Sequence, residues 1–178
     1  MGDLIMKKCL IIVDYQNDFV DGALGFKGAE TLDDVITKKI ETYLKEKQDI
    51  IFTFDTHDND YLSTQEGRRL PIVHCVSHTH GHMLYGKTAA YLKDAKIVFN
   101  KPTFGSLELG NYLKTNPYDE VELCGLVTNM CVVSNAVIAK AALPEARIIV
   151  DHKACMSFNE SLHEQTLNVL AGMQMDII

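Results

Sequence analysis

Short, almost unbroken apolar runs recur along the chain, and the stretches between them place apolar residues at helical spacing. Cys9-Leu10-Ile11-Ile12-Val13-Asp14 and Ile50-Ile51-Phe52-Thr53-Phe54-Asp55 read as two buried strands. Lys96–Asn100, Glu120–Cys124, Arg147–Asp151 and Met175–Ile178 complete a set of six. Helices are expected at Thr31–Lys47, Leu107–Thr115, Met130–Leu143 and Asn159–Ala171. Strands that are apolar on both faces and separated by helices belong to a parallel sheet covered on both sides. The pattern therefore predicts an α/β fold: one domain over residues 1–178, a three-layer α/β/α sandwich around a six-stranded, mostly parallel sheet.

Sheets of this kind bind ligands beyond the carboxyl ends of their strands, where the strand order reverses. Polar residues at those ends are the ones to inspect. Asp14 closes the first strand, Asp55 the second and Lys101 the third, and the Cys124–Cys131 turn follows the fourth. All four should meet at one edge.

Composition narrows the classes of function. The 178 residues, 47% hydrophobic and 23% charged, suit one soluble globular domain. A formal net charge of −7 with no basic stripe argues against nucleic acid or an anionic membrane surface as partner. No apolar run reaches the roughly 18 residues of a membrane span. The cysteines number five, an odd count without a C-x-x-C pair, which fits a reducing compartment. No apolar leader with a small-residue cleavage site is visible, so the cytoplasm is the expected location.

Among the cysteines, Cys131 stands apart. It follows a strand through Gly125-Leu126-Val127-Thr128-Asn129-Met130 and falls in the first turn of an expected helix, with Thr128 or Asn129 as cap. Unpaired N–H groups and the positive end of a helix dipole favour thiolate there. Cys9, Cys75 and Cys124 lie in or beside apolar runs and read as packing residues, while Cys155 falls in an expected loop. A thiol nucleophile needs a base, and Asp14 is the candidate. Lys101 offers a cation, and Pro102 after it favours an extended backbone at that point. No histidine is placed to partner Cys131, which makes a Cys–His dyad the weaker arrangement.

These residues also carry a family likeness. Asp14-Tyr15-Gln16-Asn17-Asp18-Phe19 resembles the D-x-Q-N-D-F opening of the isochorismatase-like cysteine hydrolases, a family that includes nicotinamidases. Gly125-Leu126-Val127-Thr128-Asn129-Met130-Cys131-Val132 resembles the family's nucleophile segment, and Lys101 with Phe104-Gly105-Ser106 its lysine segment. The resemblance implies Asp14 as proton acceptor and donor, Lys101 as electrostatic partner and Cys131 as nucleophile. It further implies a cis peptide between Leu126 and Val127, with the Val127 and Cys131 N–H groups forming an oxyanion hole.

Asp55-Thr56-His57 together with His74 could supply one carboxylate and two imidazoles to a divalent metal, a donor set suited to zinc, iron or manganese. The resemblance strengthens that reading, because nicotinamidases bind a metal, zinc being the first expectation, through D-x-H and a later histidine. Glu66 matches a fourth, carboxylate ligand of some relatives. Here one residue more than usual separates Pro71 from His74, and Leu70 stands where an aromatic residue often stacks on substrate; Phe19 keeps the other substrate-binding position. His78, His80 and His82 read as a solvated loop. The function implied is hydrolysis of a small amide, nicotinamidase-like, in a homo-oligomer. The alternatives are hydrolysis of another small molecule, such as a ureido compound, and a noncatalytic binding protein on the same sheet.

Overall fold

The computed structural model describes residues 6–178. Six strands form its sheet: β1 (Lys8–Val13), β2 (Asp49–Asp55), β3 (Ile97–Lys101), β4 (Glu120–Leu126), β5 (Arg147–Met156) and β6 (Asp176–Ile177). Their order is β3-β2-β1-β4-β5-β6, and every neighbouring pair is parallel. The expected sheet is thus present and is wholly, not mostly, parallel. Each successive pair of strands is joined by a crossover long enough to return the chain, so no antiparallel hairpin is needed.

Six α-helices accompany the strands: α1 (Asn17–Val20), α2 (Leu32–Lys45), α3 (Gln65–Arg69), α4 (Leu107–Thr115), α5 (Val133–Ala142) and α6 (Glu160–Gly172). From β1 the chain winds outward through β2 to β3, then returns to the other side of β1 for β4, β5 and β6. Right-handed crossovers place helices on opposite faces when the winding direction reverses. Accordingly α2 packs across β1, β2 and β5, while α5 packs against both α4 and α6. Cys9 to Val13 of β1, covered from both sides, have no exposed surface. Burying such a strand is the main gain of the fold, worth about 1.5–3 kcal/mol per large aliphatic side chain.

The reversal puts the switch point between β1 and β4. Gly125 lets the two strands close there. Its φ is +116°, and a Cβ would fall 2.1 Å from the Val13 carbonyl oxygen, so no other residue fits without moving backbone.

Three local expectations need correction. The segment expected as helix Met130–Leu143 begins as a π-helical turn, Thr128–Val132, before α5. Cys131 therefore sits in that turn and not in the first turn of a regular α-helix. Neither Thr128 nor Asn129 caps: the Thr128 hydroxyl meets His163 Nδ1 at 2.8 Å, and Asn129 Oδ1 accepts from the Ser157 hydroxyl at 2.7 Å. Finally, β5 continues to Met156, which places Cys155 in a buried strand opposite Gly125 and not in a loop. The polar Asp151-His152-Lys153 step hid that continuation from periodicity.

Candidate functional site

Four strand ends converge as expected. Asp14 follows β1 with φ of 46°, a left-handed conformation that asparagine and aspartate tolerate better than most residues. Lys101 ends β3, directly opposite Asp55 at the end of β2. Cys131 reaches the same point from the turn after β4. Lys101 Nζ lies 2.5 Å from Asp14 Oδ2, 3.5 Å from Cys131 Sγ and 3.7 Å from Asp55 Oδ1. It also donates to the Thr103 carbonyl at 3.0 Å. Asp14 and Lys101 have no exposed surface, and Cys131 has 5%.

Burial sets the electrostatics. It pushes the Asp14 carboxyl above its usual range, against the opposing pull of Lys101, and it pushes the Cys131 thiol well above its usual range. Burial alone would lower the Lys101 ammonium, but the charges of Asp14, Cys131 and Asp55 outweigh it and hold the proton on. Burial thus works against the thiolate at Cys131, opposite in direction to the helix-dipole expectation. Beside it stands a carboxylate more basic than usual, held in place by a permanent cation.

The Leu126–Val127 peptide is cis, as the resemblance implied. Asn135, fully buried on α5, accepts from Ser106 N–H at 3.0 Å and donates to the Cys131 and Phe104 carbonyls at 2.8 and 3.1 Å. It braces the cysteine turn against the loop that follows Lys101.

A second cluster adjoins the first. Asp55 Oδ2 lies 3.0 Å from His57 Nε2 and 3.2 Å from His74 Nε2, and Glu66 Oε1 lies 3.9 Å from both nitrogens. Asp55, His57 and His74 are buried and each offers one ligand atom, all within 4.8 Å of one another. The chemistry of this donor set fits a divalent cation. His74 Nδ1 donates to the Ile72 carbonyl at 2.7 Å, which leaves the Nε2 lone pair facing a carboxylate oxygen. A proton on that nitrogen or a cation between the groups removes the conflict. The added residue before His74 does not carry the imidazole away: His57 N–H donates to the Cys75 carbonyl at 3.0 Å, and a parallel bridge joins His57 to Val76.

Phe19 and Leu70 also come together, lining a cavity of about 340 Å³ with Leu24, Phe26, Val127, Met130 and Phe158. The Phe19 ring sits 5.7 Å from the His74 ring, so the apolar cavity abuts the metal-type cluster. His78, His80 and His82 contribute no side chain to that cluster. Their loop is instead stitched to the site by residues that strand patterning alone did not single out. Gln16 donates to the Asp55 and His82 carbonyls, both at 2.9 Å, and its Oε1 accepts from Asp55 N–H at 2.8 Å. Asp18 Oδ2 accepts from Cys75 N–H at 2.7 Å, fixing the residue after His74. The Thr53 hydroxyl donates to Asp14 Oδ1 at 2.6 Å. A lone hydroxyl inside the apolar β2 run was the available signal for Thr53.

The isochorismatase domain model matches residues 8–178. The chain belongs to this family. The Bacillus subtilis isochorismatase family protein PncA is 31% identical over 179 residues, spanning 94% of this chain and 96% of that one. The crystal structure of nicotinamidase PncA from Bacillus subtilis superposes with a TM-score of 0.85 at 29% identity, covering 97% of this chain and 99% of that one. Pyrazinamidase of Pyrococcus horikoshii, solved in complex with zinc, shares the fold with a TM-score of 0.84 at 24% identity over 97% and 98% of the two chains. Isochorismatase family relatives of this chain thus include amidohydrolases. Among the described residues, no helix is long and apolar enough to cross a membrane.

Proposed function

We propose that this protein, taken as a single hydrolase domain over residues 1–178, is a cysteine-dependent amidase of the nicotinamidase type. The observation that carries the reading is the buried contact set around Lys101, which brings Asp14 Oδ2 to 2.5 Å and Cys131 Sγ to 3.5 Å of one ammonium. Nicotinamide is the first substrate to test.

The carboxamide carbon enters beside Cys131 from the cavity lined by Phe19 and Leu70. Asp14 takes the thiol proton as sulfur attacks, so the buried thiolate exists only while a carbon accepts it. Val127 and Cys131 N–H groups receive the developing oxyanion. Asp14 returns the proton to the departing nitrogen, releasing ammonia and leaving a thioester. Water, deprotonated by Asp14, attacks the thioester carbon, and its collapse gives the carboxylic acid and the free thiol. Lys101 stays charged throughout and keeps Asp14 ionised when it must act as base. Asp55, His57 and His74, with Glu66, would hold a divalent metal, zinc foremost with iron or manganese as alternatives. When bound it would supply a Lewis-acid anchor for a ring nitrogen or water. A cytoplasmic setting and a homo-oligomeric state complete the reading; the first is supported by five cysteines that are all unpaired.

The test is ammonia release from nicotinamide by the parent and by Cys131→Ala, with metal content measured on both samples. Cys131→Ala should keep its fold and metal while losing turnover by at least about a thousandfold, because no other group can form the thioester. Turnover retained in a folded Cys131→Ala protein would refute the reading.

A further inference from the structure

Beyond the small cavity lies a larger one. A cleft of about 740 Å³ runs along the end of β5 and the start of α6, and the only residues it shares with the substrate cavity are Phe26 and Phe158. Their rings meet edge to face, centroids 6.2 Å apart at 75°. The pair is the partition between the two spaces.

This partition is anchored from the Phe158 side. Ser157, the residue before it, donates its hydroxyl to Asn129 Oδ1 in the cysteine turn at 2.7 Å and accepts from Asn159 N–H at 3.0 Å. Asn159, the residue after it, caps α6 by accepting from Leu162 N–H at 3.0 Å. Phe158 is therefore held between the nucleophile turn and a helix start, although the residue is 59% exposed. Phe26 completes the wall from the loop before α2, ahead of Gly28 with its left-handed φ of 99°.

Size gives the partition its consequence. At about 340 Å³ the inner cavity is at the lower end of the roughly 300–1,000 Å³ usual for small-molecule sites. Its walls offer no charged side chain that could reposition a larger ligand. We infer that Phe158, with Phe26, is a specificity-determining residue that limits the acyl part of the amide to a single ring. With the carboxamide seated beside Cys131, the second ring of fused bicyclic amides would have to be accommodated at the wall formed by the aromatic pair, and on this inference they are disfavoured there. Opening the wall joins the cavity to the outer cleft and admits them. The inference rests on the proposed amidase reading for its substrates, but the wall itself can be tested without turnover.

The experiment compares nicotinamide with quinoline-3-carboxamide, which adds one fused ring, on the parent, Phe158→Ala and Phe26→Leu. Ammonia release is measured on each. Binding of the same two amides is measured by calorimetry on Cys131→Ala proteins with and without the wall substitution. The exposure of Phe158 makes a folded variant the expected outcome, and Phe26→Leu provides a second opening that retains an apolar side chain. The parent should prefer nicotinamide. Phe158→Ala should shift the ratio of kcat/KM, and of affinity, towards the bicyclic amide by tenfold or more; pocket walls commonly discriminate by such factors. Absence of turnover with both amides in every protein would remove the amidase reading while the affinity ratio still reports on the wall. An unchanged affinity ratio in both wall variants, or a parent that already accepts both amides equally, overturns the inference.

Discussion

Replacing Lys101 by Met tests the centre of the site, because this one ammonium faces Asp14, Asp55 and Cys131 at once. Methionine is close in volume and fills the space without charge. At 2.5 Å and an effective dielectric of about 20, the gross attraction to Asp14 alone is roughly 7 kcal/mol. Desolvation of both partners cancels much of that, so the pair adds little net stability. Removing one partner is different, since it leaves a carboxylate buried without its counter-charge; such losses run to about 3–5 kcal/mol. Asp14 has no exposed surface through which water could compensate. It is expected to respond by holding a proton, which would disable it in the proposed role of base.

Two readouts separate stability from chemistry. Urea unfolding of Lys101→Met should show a loss of about 3–5 kcal/mol, or on the order of 10 °C in Tm for a chain of this size. Asp14→Asn in the same background should recover part of that loss, because the stranded carboxylate is then gone. Alkylation of Cys131 by iodoacetamide, followed by mass spectrometry, should slow markedly in Lys101→Met. A loss of stability under about 1 kcal/mol together with an unchanged alkylation rate would refute the account of Lys101 as the buried counter-charge of this site.

Two further substitutions probe what supports the trio. Gly125→Ala should cost more than about 4 kcal/mol, because the new Cβ would lie 2.1 Å from the Val13 carbonyl oxygen at a φ of +116°; a soluble variant within 1 kcal/mol of the parent by urea unfolding would contradict the required close approach of β1 and β4. Thr53→Val keeps the shape but withdraws the 2.6 Å hydrogen bond to Asp14 Oδ1, with an expected cost of about 1–3 kcal/mol and a roughly tenfold or greater fall in kcat; unchanged kcat would show that Asp14 needs no second anchor.

The sheet was legible because buried parallel strands need continuous β-branched runs, and their ends name the site by a rule of topology. Asp14, Asp55 and Lys101 each follow or close such a run, and they meet as that rule requires. The turn carrying Cys131 was less legible. A π turn and an α turn draw on the same residues, and the side chains that would have capped an α turn are hydrogen-bonded elsewhere, Thr128 to His163 and Asn129 to Ser157. Those partners lie about 30 residues away in sequence, as their separations of 35 and 28 show. Cys155 was misplaced for a related reason: exposed His152 and Lys153 interrupt the apolar run, yet the backbone of β5 continues past them. The metal-type cluster was readable as D-x-H. The tie that holds His74 to it, from Asp18 to the Cys75 amide, is a tertiary contact across 57 positions that no local pattern encodes.

Register explains why the two clusters behave as one site. Asp55 and Lys101 are direct neighbours across the β2–β3 pair, and each is the last residue of its strand. A slip of one residue would turn one of the side chains to the opposite face of the sheet. The Asp55 side chain then divides its oxygens, Oδ1 towards Lys101 and Oδ2 towards His57 and His74. Those imidazoles hold the Asp55 carboxyl well below its usual range despite burial, whereas burial dominates at Asp14 and raises it. Two aspartates at adjacent strand ends are thereby driven apart, Asp55 towards the ionised form and Asp14 towards the protonated one, as the proposed division between counter-charge and base requires. Gln16 protects that division by clasping the Asp55 backbone through both its N–H and its carbonyl. The chemistry of the site thus depends on strand pairing as much as on the residues that carry it, because a single register sets both the distance and the difference in charge.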